Sequence, residues 1–466
     1  SMNMINVRRL AVMTFLGAGM LSDISAQDFS LQADTLNEAR LPAQWDLQSC
    51  IDYALEQNIT IRKNRVTAES TQIDVKTAKA ALFPSLSFST SQQVVNRPYQ
   101  ETSSRVSGSE IISSNSKTSY NGNYGLNASW TIYNGSKRLK TLKQERLNNQ
   151  VAELDVATSE NTIKESIAQI YIQILYAAES VRVNENTLQV SIAQRDRGQE
   201  LLNAGSIAKS DFAQLEAQVS TDRYQLVTAQ ATLQDYKLQL KQLLELDGEN
   251  EMNVYLPKLS DENVLAPLPA KKDVYVSALA IRPEIEASKL NVEASELGID
   301  IAKSSYFPTI SLSAGIGTNH TSGSDFTFGE QVKNGWNNSI GLSVSVPIFN
   351  NRQTKSAVQK AKLQRETNML SLLDEQKALY KTIESLWLDA NSAQQRYAAA
   401  NEKLRSTQIS YDLISEQFNL GMKNTVELLT EKNNLLQAQQ EQLQAKYMAI
   451  LNTQLLKFYQ GDKLTL

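Results

Sequence analysis

Two periods of hydrophobic and polar residues divide the chain. From Tyr120 to Tyr133 they alternate by twos: Tyr120, Gly122, Tyr124, Leu126, Ala128, Trp130 and Ile132 share one face, and Asn121, Asn123, Gly125, Asn127, Ser129 and Thr131 the other. Trp336, Ile340, Leu342, Val344, Val346 and Ile348 against Asn337, Ser339, Gly341, Ser343 and Ser345 repeat that pattern. Shorter alternations set Leu86 and Phe88 against serines and Ile310, Leu312, Ala314 and Ile316 against Ser311, Ser313 and glycines. Four strands are predicted, each long enough for a tilted bilayer crossing of about 9 to 11 residues. An apolar face toward lipid and small polar residues toward water describe a barrel wall, and a half-buried soluble sheet is the competing reading.

The other period is helical. Ile163, Ile167, Ile170, Ile174, Ala177, Val181, Asn184 and Leu188 step by three and four, as do Leu379, Ile383, Leu386, Ala390, Ala393, Tyr397, Ala400 and Leu404. Both are coiled-coil seams. Phe212, Leu215, Val219, Leu226, Ala229, Leu233, Leu240 and Leu243 form a returning seam, interrupted at Asp222 and Tyr236, where a water-facing side is expected. A helix from Lys137 to about Asn203 spans on the order of 100 Å, too long for one compact core.

The plan occurs twice. Ala78 to Ser89 recurs as Ala302 to Ser313, both carrying Phe-Pro, and Ala204-Gly205 is echoed by Leu420-Gly421. This gives a first repeat over 27–246 with strands at about 85–96 and 120–133 and a hairpin tip at 203–211. A connector over 247–272, punctuated by Pro257, Pro267 and Pro269, leads to a second repeat over 273–466, with strands at about 309–318 and 336–348 and a tip at 419–427.

Charge and composition narrow the chemistry. The 466 residues carry 46 Lys+Arg against 50 Asp+Glu, a formal −4, which leaves no basic footprint for nucleic acid. One Cys and one His, Cys50 and His320, supply neither a disulfide nor a soft-donor metal set, so no catalytic residue, cofactor or metal is expected. Arg8 and Arg9 before the apolar run Leu10 to Leu21, with Ser25-Ala26 after it, read as a secretory signal over 1–26. Beyond it no apolar run reaches the roughly 20 residues of a membrane helix, so strands must make any crossing. Asn96 to Ser119 and Thr318 to Gly335, the latter holding His320, Asp325 and Glu330, read as solvated surface loops.

Four strands cannot close around a lumen, and an open edge is intolerable in lipid, so several copies must share one barrel. The doubled plan, the two Phe-Pro junctions, the turns at Asn134-Gly135 and Asn350-Asn351 and the two Gly-containing helical turns resemble the TolC family of outer membrane efflux proteins. The resemblance covers essentially the whole mature chain. It implies a mainly α fold with β: duplicated helix-strand-strand-long helix units, assembled as a homotrimer with a 12-stranded transmembrane β-barrel continued by a periplasmic α-helical coiled-coil barrel.

The resemblance also implies a function and a gate. The function is a passive exit duct in the outer membrane, with a large periplasmic part and outer membrane lipid around its barrel. Its partners are a periplasmic adaptor protein and an RND-type or ABC-type inner membrane transporter, of a tripartite efflux or type I secretion system. The gate lies at the hairpin tips. Asp211, beside Ser210, matches the family's first-hairpin aspartate, and Lys423 stands where well-studied members carry an arginine. Glu427 occupies the first of two pore-lining acidic positions, the second being Thr430 here, and Phe418 replaces the gate tyrosine. Lys lacks the planar fork of Arg, so an easily opened gate is expected. Ala204, Gly205, Ser206, Leu420, Gly421 and Met422 are the implied adaptor contacts. On the residues alone, the competing reading is that Asp211, Lys423 and Glu427 merely solvate helix ends. The alternative function is a periplasmic coiled-coil scaffold without a pore.

Overall fold

The computed structural model describes residues 41–466 apart from 102, 108, 115, 116, 248 and 250. The signal expected at 1–26 and the beginning of the first repeat lie outside the described residues. Helices α1 (Leu47–Gln57) and α2 (Ile59–Ala80) lead into β1 (Ser85–Asn96). A ribbon of β2 (Ser103–Ser107) and β3 (Glu110–Ser114) precedes β4 (Thr118–Asn134). The long hairpin α3 (Lys137–Asn203) and α4 (Lys209–Leu243) completes the first half. After α5 (Asp261–Val264) the second half runs α6 (Lys271–Ile281), α7 (Pro283–Lys303), β5 (Thr309–Thr321), α8 (Phe328–Asn334), β6 (Asn337–Ser345), α9 (Gln353–Asn419) and α10 (Thr425–Gln460).

The four long strands form one antiparallel sheet in the order β1-β4-β5-β6. Its register aligns the alternation across all four strands. Leu86, Ala128, Ala314 and Ile340 make one cross-strand row, and Ser87, Asn127, Gly315 and Ser339 make the adjacent row on the opposite face. Such rows give the sheet one apolar face and one face of hydroxyls, amides and bare backbone. Leu86, Phe88, Ile340 and Leu342 are exposed, so nothing among the described residues covers the apolar face there.

The structure departs from the sequence reading in four places. β6 ends at Ser345, short of 348, because Pro347 has no N–H to continue the ladder. β5 continues past 318, since Asn319, His320 and Thr321 still pair with β4. The β4–β5 register slips at Ile132, so Tyr133 opposes Ile310 and the alternation expected through Ile132 is not kept. The loops expected at Asn96 to Ser119 and Thr318 to Gly335 hold the β2–β3 ribbon and α8. A capping box formed by Thr327 and Glu330 starts α8.

Sheet and helices are joined by the same backbone device in each half. Gly135 and Ser136 before α3, and Asn351 and Arg352 before α9, all adopt left-handed φ between 54° and 72°. Trp130 Nε1 donates to Leu82 O at 2.9 Å, tying β4 to the Phe83-Pro84 corner.

Below the sheet, α3 and α9, each of 67 residues, run the length of the molecule. No helix among the described residues is long and apolar enough to cross a membrane. The main core lies midway along the helices, where Ile167, Tyr171, Ile174 and Leu175 of α3 meet Cys50, Ile61, Leu240, Val254, Val264 and Ile450. The connector wraps this level: Trp45 bridges to Val254, and Gln394 and Trp387 of α9 donate to Val264 O, Ala266 O and Pro269 O.

A buried cation joins the halves there. Arg282 ion-pairs with Glu284 at 2.8 Å and with Glu165 of α3 at 3.4 Å, and lies 4.1 Å from the Tyr459 ring centroid. Burial pushes the Glu165 carboxyl above its ordinary value, and Arg282 opposes that push. Arg282→Ala strands two carboxylates in a poorly hydrated site. It is expected to cost about 3 kcal/mol and lower the melting temperature in detergent.

Candidate functional site

The two hairpin tips are built alike. After α3, Gly205 adopts φ +74°, its N–H donates to Leu202 O at 2.9 Å, and Ser206 N donates to Leu201 O at 2.8 Å. After α9, Gly421 also has φ +74°, with Gly421 N to Phe418 O at 2.9 Å and Met422 N to Gln417 O at 2.8 Å. Both are Schellman closures, which satisfy the last helix carbonyls and need a residue without Cβ at the left-handed position. Ala204, Gly205, Ser206, Leu420, Gly421 and Met422 are all exposed at these turns. The tips thus present backbone, the Ser206 hydroxyl and the apolar side chains of Ala204, Leu420 and Met422.

The charged candidates sit one turn further in. Asp211 accepts from Ala208 N at 3.3 Å, closing the first turn of α4, and Ser210 beside it is exposed. Glu427 is held twice: Asn424 and Glu427 form a reciprocal capping box at 2.8 and 3.2 Å, and Lys423 Nζ lies 3.1 Å from its carboxylate. Lys423 and Glu427 keep 36% and 43% side-chain exposure, which leaves both within reach of another charged group. Thr430 donates to Val426 O at 2.7 Å, so its hydroxyl is spent on its own helix. The structure brings Lys423 and Glu427 together, and the contacts of Asp211 are local to α4.

Phe418 lies elsewhere. It is 2% exposed and belongs to a cluster of Leu215, Tyr411, Leu428 and Leu435 that joins the hairpins within one chain. Its ring serves inter-hairpin packing, where the hydroxyl of a tyrosine would need a partner.

Sequence reasoning missed the most buried charges. Asp222, read as an interruption of the α4 seam facing water, is 3% exposed and ion-paired with Lys432 of α10, itself 4% exposed. Ser191 of α3 donates to Asp222 and accepts from Lys432, and Gln218 donates to the other Asp222 oxygen at 2.9 Å. Burial pulls the Lys432 ammonium below its ordinary value, and the Asp222 carboxylate pulls it back. The available signal was an acidic residue at a seam position of one hairpin and a lysine on the other, and only packing pairs them. His320, placed by sequence in a loop, lies in β5, its ring centroid 5.2 Å from Tyr120, 5.8 Å from Tyr124 and 4.9 Å from Phe328.

An apolar-faced four-stranded sheet joined to two helical hairpins, each with one arm over 60 residues long, defines a class, a duplicated, mainly α fold with a coiled-coil extension. The particular family follows from comparison. The outer membrane efflux protein family matches residues 50–245 and 274–461, and the chain belongs to it. The outer membrane efflux protein BepC of Brucella suis biovar 1 (strain 1330) is 26% identical over 294 residues, 63% of this chain and 61% of that protein. The outer membrane protein TolC of Escherichia coli (strain K12) is 24% identical over 341 residues, 70% of this chain and 66% of that protein. The chain thus spans somewhat under two thirds of these relatives' lengths. The solved structure of CusC superposes with a TM-score of 0.76 at 18% identity, covering 90% of this chain and 92% of that one.

Two outcomes follow at the second tip. Asn424→Ala removes the cap acceptor and is expected to cost about 1 kcal/mol, read as faster amide exchange in the first turn of α10. The Asn424 backbone N–H and the Lys423 ammonium hold the Glu427 carboxyl below its ordinary value. A carboxyl depressed by folding stabilises above its unfolded pKa and loses that contribution as pH falls through the folded value. Exchange at Glu427 and Leu428 is therefore expected to accelerate relative to mid-helix amides only once the pH falls below the ordinary glutamate range.

Proposed function

We propose that this chain is the outer membrane exit duct of a tripartite efflux or type I secretion system. In this reading three copies complete one 12-stranded barrel. The long helices continue it as a periplasmic tube, and the pore passively conducts what an RND-type or ABC-type inner membrane transporter delivers through a periplasmic adaptor. Each half, 27–246 and 273–466, supplies two strands and one hairpin, with 247–272 as the girdle between them. No step of bond chemistry is involved.

The observation that carries the reading is the sheet. Among the described residues its apolar face has no cover, and β1 and β6 each offer one unpaired edge. In hydrocarbon such edges need partners, and identical neighbours supply them by pairing β6 of one copy with β1 of the next.

The tips are the proposed gate and docking end. Asp211, Ser210, Phe418, Lys423, Glu427 and Thr430 form or support the constriction, and the exposed turns at Ala204, Gly205, Ser206, Leu420, Gly421 and Met422 meet the adaptor. Threefold symmetry makes a ring of Glu427. Carboxylates about 7 Å apart at an effective dielectric near 20 repel by roughly 2 kcal/mol per pair. Lys423, 3.1 Å from Glu427 in the same chain, offsets part of that charge. The ring therefore favours cations weakly until Lys423 is removed.

Planar-bilayer recording of the detergent-purified protein tests this. Glu427→Ala is expected to abolish cation preference and divalent block, and Lys423→Ala to strengthen both. Unchanged selectivity in the two variants would remove the ring. Material that stays monomeric and water-soluble without detergent would remove the duct and favour the scaffold reading.

A further inference from the structure

Apart from the Tyr411 hydroxyl, the tip cluster of Leu215, Tyr411, Phe418, Leu428 and Leu435 is apolar, and an apolar seam between helices carries little information about axial position. One turn and more above the tip, that seam contains charge. Asp222 of α4, Ser191 of α3 and Lys432 of α10 meet with almost no access to water, and each bonds to the other two. Leu215 and Val219 on α4 and Leu428 and Leu435 on α10 are the buried neighbours at seam spacing. A second polar tie crosses close by, with Gln194 Nε2 of α3 donating to Tyr411 Oη of α9 at 2.7 Å. The duplication does not supply this pair: 216 residues after Asp222 stands Ala438, and 216 before Lys432 stands Glu216.

A buried ion pair adds little net stability over a well-packed apolar pair, and its best-attested use is to specify register. Moving α10 by one turn against α3 and α4 separates Lys432 from Asp222 by about 5 Å and leaves both charges buried and unpaired. The native register alone satisfies all three groups.

We propose that Asp222, Ser191 and Lys432 form a register lock that fixes the second hairpin against the first within one subunit. In doing so they act as positioning residues for the second tip. Lys423 and Glu427 lie nine and five residues before Lys432 on the same hairpin arm, so the lock sets the height at which they are presented. The consequence for gating rests on the duct reading; the lock itself does not.

The test measures distance within a subunit. Spin labels are placed through Ser206→Cys and Met422→Cys, one at each tip, in full-length protein whose own Cys50 is buried. Labelled subunits are diluted with unlabelled ones, so that pulsed dipolar spectroscopy reads one chain, whatever its oligomeric state. The native pair is expected to give one narrow population. Asp222→Leu with Lys432→Met keeps an apolar seam without charge and is expected to add a population displaced by about 5 Å. Asp222→Lys with Lys432→Asp restores complementarity and is expected to return the single native population. An undisturbed distribution in the neutral pair overturns the lock. Should the neutral pair not assemble, the reversed pair decides: a native distribution supports the lock, and a displaced or broadened one overturns it. In bilayers the neutral pair is expected to raise open probability several-fold. Absence of current from the unmutated protein would count against the duct and leave the distance result standing.

Discussion

The constraint on which the rest of the structure depends is the hydrogen-bonding capacity of two strand edges. Among the described residues β1 and β6 each pair on one side only, and the sheet between them carries an apolar face with nothing against it. Water would satisfy the edges but oppose the face, and lipid would accept the face but oppose the edges. In the proposed oligomer a closed wall shared among copies resolves both. It also explains why the opposite face can consist of serine, asparagine and glycine, residues too polar and too small to build a core.

The helices translate that wall into a long arm. Paired left-handed residues turn the chain from β4 into α3 and again from the end of the sheet into α9, and each helix then runs 67 residues before a Schellman closure reverses it. The equal lengths matter because both hairpins must reach the same end of the molecule. Small seam residues such as Ala177, Ala390 and Ala393 permit close approach, and stability is gathered at mid-length, where connector, α1, α6 and the buried Arg282 wrap the bundle.

The two halves differ near the tips. The first turn of α4 begins at Ala208, which has no capping side chain, whereas Asn424 caps α10 and engages Glu427. Asp222 and Lys432 are unmatched by their positions in the other half. A duplicated scaffold needs equivalence where strands and turns repeat. Where the two hairpins face each other, their surfaces must be complementary, so the copies differ there.

Periodicity in the sequence determined the four strands, the long seams and the duplication, because a period of two or of three and four is a local property and each repeat reports it independently. β1 begins at Ser85, where the alternation of Leu86 and Phe88 with serines starts, and Ile167, Ile174, Ile383 and Ala390 are buried where the seams run. The candidate tip residues were legible as types at turns, since Gly205 and Gly421 mark left-handed closures. Tertiary structure alone decided that Phe418 is consumed by inter-hairpin packing, that Glu427 shares its charge with Lys423 and a helix terminus, and that Asp222 is buried against a lysine 210 residues away. The physical reason is that burial of a polar residue depends on what packs over it. No periodicity within one helix encodes the partner that a second hairpin brings.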